Sequence, residues 1–354
     1  MAGRRLVGPL TLSLGALLVL VVLAAGSGSV RLGPAEVLAA SGRGLEASLR
    51  DLVGLAPAPQ AAVADPGRRV ADTIVWQIRL PRVALAALVG AALALAGAGF
   101  QGVFRNPLAD PYLLGAASGA GFAASLVMVA GGTLGLLGRF SVPLAAFVGA
   151  SATVLVVVAL ARRGWTLPVV PMVLAGVVVG SCLAAGTSFV LLASREQAAG
   201  ILTWLLGSLA FASWERVGSV LPLVLVAAVA LVSAARALDV LQLGESAAAQ
   251  LGVPVEAVKL TVVAAGTLAT AAAVSVAGVI GFVGLVVPHA VRLALGPDHR
   301  RLVPIAALWG AGFMVLADLV ARTVIAPAEL PVGVVTALVG APFFLMLLRR
   351  GSSA

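Results

Sequence analysis

The chain has 354 residues, of which 61% are hydrophobic and 10% charged, with a formal net charge of +9. A soluble domain carries about 25% charged residues, so this composition excludes a water-soluble globular protein and predicts an all-α integral membrane protein with many spans. The positive balance is no sign of nucleic-acid binding. There is one lysine, Lys259, and the arginines stand at the ends of apolar runs rather than in a basic stripe with interleaved aromatics.

The first apolar run, 9–26, follows Arg4-Arg5 and has the look of a signal peptide. Many spans follow it, so it is read as a retained first helix. Residues 27–80 then form a long loop rich in Ala, Pro, Gly and Arg, expected to cover the outer face partly as short helices, with a mobile middle at 43–70. At its exit, WQIRLPR (76–82) places Arg79 and Arg82 at the mouth of the second span, 81–104. That span ends in Arg105-Asn106-Pro107. Further spans are predicted at 113–131, 140–161, 168–193, 214–235, 258–279, 281–296, 302–325 and 332–348. Gly281 and Pro297 bound the eighth, which is short. Abundant Gly and Ala predict a compact bundle with close helix contacts.

Twelve of the 23 Lys and Arg residues fall on one side, counting the two chain ends (Arg4-Arg5 and Arg349-Arg350) and the short loops; four fall on the other, and the rest lie in or at the exit of the long first loop. Positive charge marks the cytoplasmic side, so both termini are cytoplasmic and 27–80 is outside. The inner connector 236–257 has helical spacing, with Leu241, Gly244, Ala248, Leu251 and Gly252 near one face, and predicts two short helices lying flat under the membrane. A faint repeat relates 96–109 (AGAGFQGVFRNPLA) to 277–290 (AGVIGFVGLVVPHA). Five spans separate the copies, an odd offset that makes the repeat inverted. Pro107 and Pro288 are expected near helix ends.

Isolated reactive residues have plain readings. Cys182 has no cysteine to pair with and is expected as a small buried hydrophobe. His289 lacks a companion ligand, so it is read as shaping a helix end, and His299 is placed at an inner loop; no metal site is predicted. No G-x-x-x-x-G-K-[ST] loop occurs, so the chain is not expected to hold nucleotide or to act as an enzyme. An integral-membrane enzyme would need paired acids or an acid–histidine set within the spans. An ion-coupled secondary transporter would need ionisable groups near the midplane. The clear acid inside a span is Asp318, with Arg322 four residues on.

Five segments in order carry a resemblance: WQIRLPR at 76–82, RNPLADPYLLG at 105–115, LGESAAAQLGVP at 243–254, GFVGLVVPHAVRLALGPDHRRLVP at 281–304, and 317–350 from ADLVAR to the terminal arginine pair. The chain resembles the permease subunits of ABC importers for vitamin B12, haem and iron–siderophore complexes, from the first span to Arg350. The resemblance implies a single permease domain (1–354) of ten helices in the bacterial cytoplasmic membrane, paired with a second copy of itself. It also implies two cytoplasmic ATPase subunits that bind ATP-Mg and an extracytoplasmic substrate-binding protein. Arg79, Arg82 and Arg322 match the arginines that dock that protein, although Asp318 offers Arg322 a local partner instead. Gly244, Glu245, Ala248, Leu251 and Gly252 match the coupling helices that meet the ATPase. Met172, Ser181, Thr187 and Ser188 on the fifth span are candidates for the translocation pathway, with helix packing as the other reading.

Overall fold

The computed structural model describes residues 4–28, 30–54, 66–131 and 135–351. Ten of its helices are apolar enough to belong in a bilayer, seven of them long enough to cross one and three shorter. They are α1 (Arg4–Gly26), α4 (Leu80–Phe104), α5 (Ala116–Val129), α6 (Ser141–Ala161), α7 (Val169–Ala193), α9 (Trp214–Leu241), α11 (Val255–Ala277), α12 (Val283–Leu295), α13 (His299–Thr323) and α14 (Val332–Gly351). Each coincides with one predicted span. The rest are α2 (Pro34–Leu52) and α3 (Pro66–Thr73) in the outer loop, α8 (Ala198–Leu205) and α10 (Glu245–Gln250). Within the stretch expected to be mobile, 43–54 and 66–70 belong to the α2 and α3 region, while 55–65 lie outside the described residues.

α4 is the axis of the bundle. Its buried residues run almost without a break from Val83 to Val103, and it packs on α9, α11, α12 and α13. A helix enclosed on all sides needs small residues where backbones cross. A Cβ on Gly90 would strike the Gly310 carbonyl of α13, and one on Gly97 would strike the Gly284 carbonyl of α12. Before α4 the chain makes a π-helical turn, Ile74–Arg79, in which the Leu80 N–H reaches back five residues to the Val75 carbonyl.

Two helices are too short to span. α5 has 14 residues and α12 has 13, about 20 Å at 1.5 Å per residue against a hydrocarbon core of about 30 Å. Irregular backbone completes each, and such backbone survives at membrane depth only if protein satisfies it. The Tyr112 hydroxyl, in the segment leading to α5, donates to the Ile280 carbonyl at 3.0 Å, in the break before α12. The Ser208 N–H bonds the Ala277 carbonyl, and Val332 and Gly333 N–H groups bond Gly207 and Leu206. The two stretches of the faint repeat meet here: Gln101 donates to the Gly284 and Leu285 carbonyls. Their local backbones differ, since 96–104 is helical whereas 278–282 is not.

Four expectations change. Residues 236–241 continue α9, so the inner connector holds one short helix, α10, not two: α9 runs on to Leu241, and Gly244, at positive φ, separates it from α10. Pro288 lies inside α12 rather than at its end. Cys182 is exposed on α7, not buried. His299 is 2% exposed and starts α13, where its N–H and Nδ1 both meet Asp239 Oδ1 at 2.7 Å, tying α13 to the foot of α9.

Candidate functional site

At the outer mouth, three of the predicted arginines come together with two carboxylates. The C-terminus of α1 leaves carbonyls without helical partners. Arg79 fills that need: its guanidinium donates to the Ala25, Gly26 and Val30 carbonyls at 3.0, 3.1 and 2.6 Å. Arg322 does the same from α13, donating to the Ala24 and Ser27 carbonyls at 2.6 and 3.2 Å. Both cations also suit the negative end of the α1 dipole. Arg82 grips Asp318 through Nε and Nη2 at 2.9 and 2.8 Å and Glu329 through Nη1 at 2.9 Å. Asp318 is 1% exposed and touches Arg322 at 3.5 Å as well. The cluster joins α1, α4, α13 and the α13–α14 loop.

These arginines are therefore occupied internally. They line a cavity of about 960 Å³, whose wall includes Arg31, Arg79, Arg82, Arg322 and Glu329. Arg31 is exposed on that wall. With Asp318 beneath it, the cavity carries four arginines against two carboxylates, so its surplus is positive. Glu329 belongs to the site although the sequence did not single it out: nothing in ELPVG signals that its partner lies 247 residues away.

The hydrogen bonds from Arg82 hold the Glu329 carboxyl below its ordinary value of 4.5. A depressed acid stabilises the fold above its unfolded pKa and stops doing so as pH falls through its folded pKa. Wild type is accordingly expected to melt above Glu329→Gln at neutral pH, and the difference should close as the medium is acidified below about 4.5. Melting of detergent-solubilised protein across pH 3–7 checks this; a difference that is flat or widens in acid would contradict it.

On the cytoplasmic side, Gly244 and Gly252 bracket α10 with φ of 109° and 81°, values that suit glycine and few other residues. Arg105, from the RNP segment, lies 3.7 Å from where a Gly244 Cβ would stand. Leu251 and Gly252 are exposed, whereas Ala248 is fully buried and turns into the bundle. Glu245 faces Lys259 at 3.0 Å. Of the four pathway candidates on α7, Ser181 and Ser188 lie on its exposed face. Met172 and Thr187 do not: they are 0% and 7% exposed, on the buried side of α7.

Residues 16–350 match the FecCD transport family. The cobalamin import system permease protein BtuC of Halobacterium salinarum is 48% identical over 279 residues, covering 79% of this chain and 74% of that protein. The hemin transport system permease protein HmuU of Yersinia pestis is 43% identical over 279 residues, covering 78% and 83%. Among solved structures, an inward-facing metal-chelate type ABC transporter superposes with a TM-score of 0.79 at 30% identity, over 98% of this chain and 99% of that one.

Proposed function

The chain belongs to the FecCD transport family, and from that premise we propose that it is the membrane-spanning permease of an ATP-driven importer. The cargo is a bulky metal chelate: cobalamin, haem or a ferric siderophore. One observation supports this most directly. The polar groups concentrate at the two ends of an apolar bundle, in the outer arginine–carboxylate cluster and in the glycine-bracketed turn around α10. A pore levered from one end and loaded at the other needs machinery there and a wall of low affinity between. Asp318 gives little support to an ion-coupled carrier, because two arginines already neutralise it.

In this reading two copies enclose a pathway, with the exposed Ser181 and Ser188 face of α7 turned toward it. Two ATPase subunits bind ATP-Mg and press on α10 through Gly244, Glu245, Leu251 and Gly252. A binding protein docks on the outer rim. There Arg79, Arg82 and Arg322 supply the positive field from below, and the exposed Arg31 meets the partner's carboxylates. ATP binding draws the two α10 turns together, and hydrolysis resets the pair.

Proteoliposomes holding the chain with its ATPase are expected to hydrolyse ATP faster when the binding protein is added; no stimulation would refute the reading. Arg31→Glu should weaken binding-protein docking about tenfold at low ionic strength, with the deficit fading near 1 M salt as screening shortens to about 3 Å. Docking that is unchanged, or weakened equally at all salt concentrations, would remove Arg31 from the contact.

A further inference from the structure

We propose that Lys259 is a positioning residue that latches the α10 turn to the start of α7, so that a displacement of α10 is passed to α7 instead of being absorbed by the loop. This rests on the permease reading above. Lys259 is the single lysine in the chain, and it is 2% exposed. A lysine near a membrane face ordinarily extends its ammonium into water, but here the group is enclosed and fully used. An ammonium has three hydrogens to donate and no acceptor. The three acceptors are Glu245 Oε2 at 3.0 Å, Glu256 Oε1 at 2.7 Å and the Leu167 carbonyl at 2.9 Å. They come from three places: α10, the first turn of α11, and the connection from α6 to α7.

Leu167 is held twice. Its carbonyl accepts from Lys259, and its N–H donates to Glu256 Oε2 at 2.7 Å. The next residue is Pro168, the N-cap of α7, and proline has no N–H of its own to anchor the lead-in. The Lys259–Glu256 pair thus grips the α7 lead-in, while the same ammonium holds the first residue of α10.

The test uses the full chain with its ATPase partner in lipid nanodiscs, in a Cys182→Ser background. Nitroxide labels go at Ser246→Cys on α10 and at Trp165→Cys, a site 86% exposed beside Leu167. With the latch intact, the distance between labels is expected to be the same without nucleotide and with ATP-Mg. In Lys259→Met it should shift on ATP binding, its distribution should at least double in width, and binding-protein stimulation of ATP hydrolysis should fall about fivefold or more. Glu256→Gln is the milder arm: its amide has one oxygen for two donors, so it releases either Lys259 or the Leu167 N–H, and a smaller change of the same kind is expected. If Lys259→Met does not assemble, Glu256→Gln decides alone. Labels that stay fixed in an assembled variant, with stimulation unchanged, overturn the latch. A wild-type chain that recruits no ATPase overturns the permease reading, and the latch with it.

Discussion

Asp318→Asn is expected to cost about 3–5 kcal/mol, the loss typical when one partner of a buried ion pair is removed and the other stays. The carboxylate is the shared counter-ion of two arginines within a membrane helix. Arg82 holds it through two nitrogens, and the Arg322 Nε, buried with no hydrogen-bond partner, depends on its charge from 3.5 Å. Asparagine has nearly the same shape, so the loss is one of charge and acceptor capacity rather than of packing. Arg82→Gln made together with Asp318→Asn should recover much of the deficit, because it removes the cation that Asp318 chiefly neutralises. Heating the solubilised variants and following loss of the folded species checks both statements. If Asp318→Asn melts with wild type, or if the double variant is no better than the single, the cluster is not the clamp described.

The same geometry changes how the rim should be tested. Reversing Arg79 would take its guanidinium donors away from the Ala25, Gly26 and Val30 carbonyls, and reversing Arg82 would put a third acid beside Asp318 and Glu329. Either change would damage the fold before it informed on docking. An exposed cation on the same wall, Arg31, separates the two effects.

Ten apolar runs, seven of them of membrane length, punctuated by arginine, Gly and Pro, were readable because the bilayer imposes length and composition together. The meeting of α10 with its bracketing glycines was readable for a similar reason, since LGESAAAQLGVP carries both the helix and its stops. What could not be read was the far end of each polar contact. Asp318 and Arg322 share a helix face four residues apart, which periodicity reveals. Arg82 lies 236 residues from Asp318 and Arg79 lies 54 from Ala25, and a backbone carbonyl acceptor leaves no trace in side-chain identity. The facing of α7 was hidden for another reason. Its residues are small and apolar on all sides, so no periodicity distinguishes the side of Met172 from the side of Ser181 and Cys182. Lys259 did leave a trace, as a lone lysine among arginines, but its role depends on Leu167, which only the fold brings near.

Gly97→Val is expected to abolish monodisperse protein, and Gly90→Val to do nearly as much. Extra methylenes in a packed core cost about 1–3 kcal/mol when neighbouring side chains can yield, and more when they cannot. Here the obstacles are main-chain carbonyls. The Gly97 Cβ meets the Gly284 carbonyl, and Gly284 is itself wedged against Pro111; the Gly90 Cβ meets the Gly310 carbonyl, while a Cβ on Gly310 would meet Gly90 in return. Each contact can be relieved only by moving α4 away from α12 or α13, and α4 is enclosed by α9 and α11 as well. Separation would also break the bonds from Gln101 to Gly284 and Leu285, leaving the Gly284 carbonyl, whose helical donor position is Pro288, unpaired at a depth with little water to replace the donor. Gly218→Val is the matched control: the site lies on α9 with nothing within 4 Å of the new Cβ, so it tests valine in a membrane helix without a crossing. Size-exclusion profiles of the three variants read the outcome. Gly97→Val eluting as wild type, or Gly218→Val failing as badly, would show that the close approach of α4 to its neighbours is not what holds the bundle together.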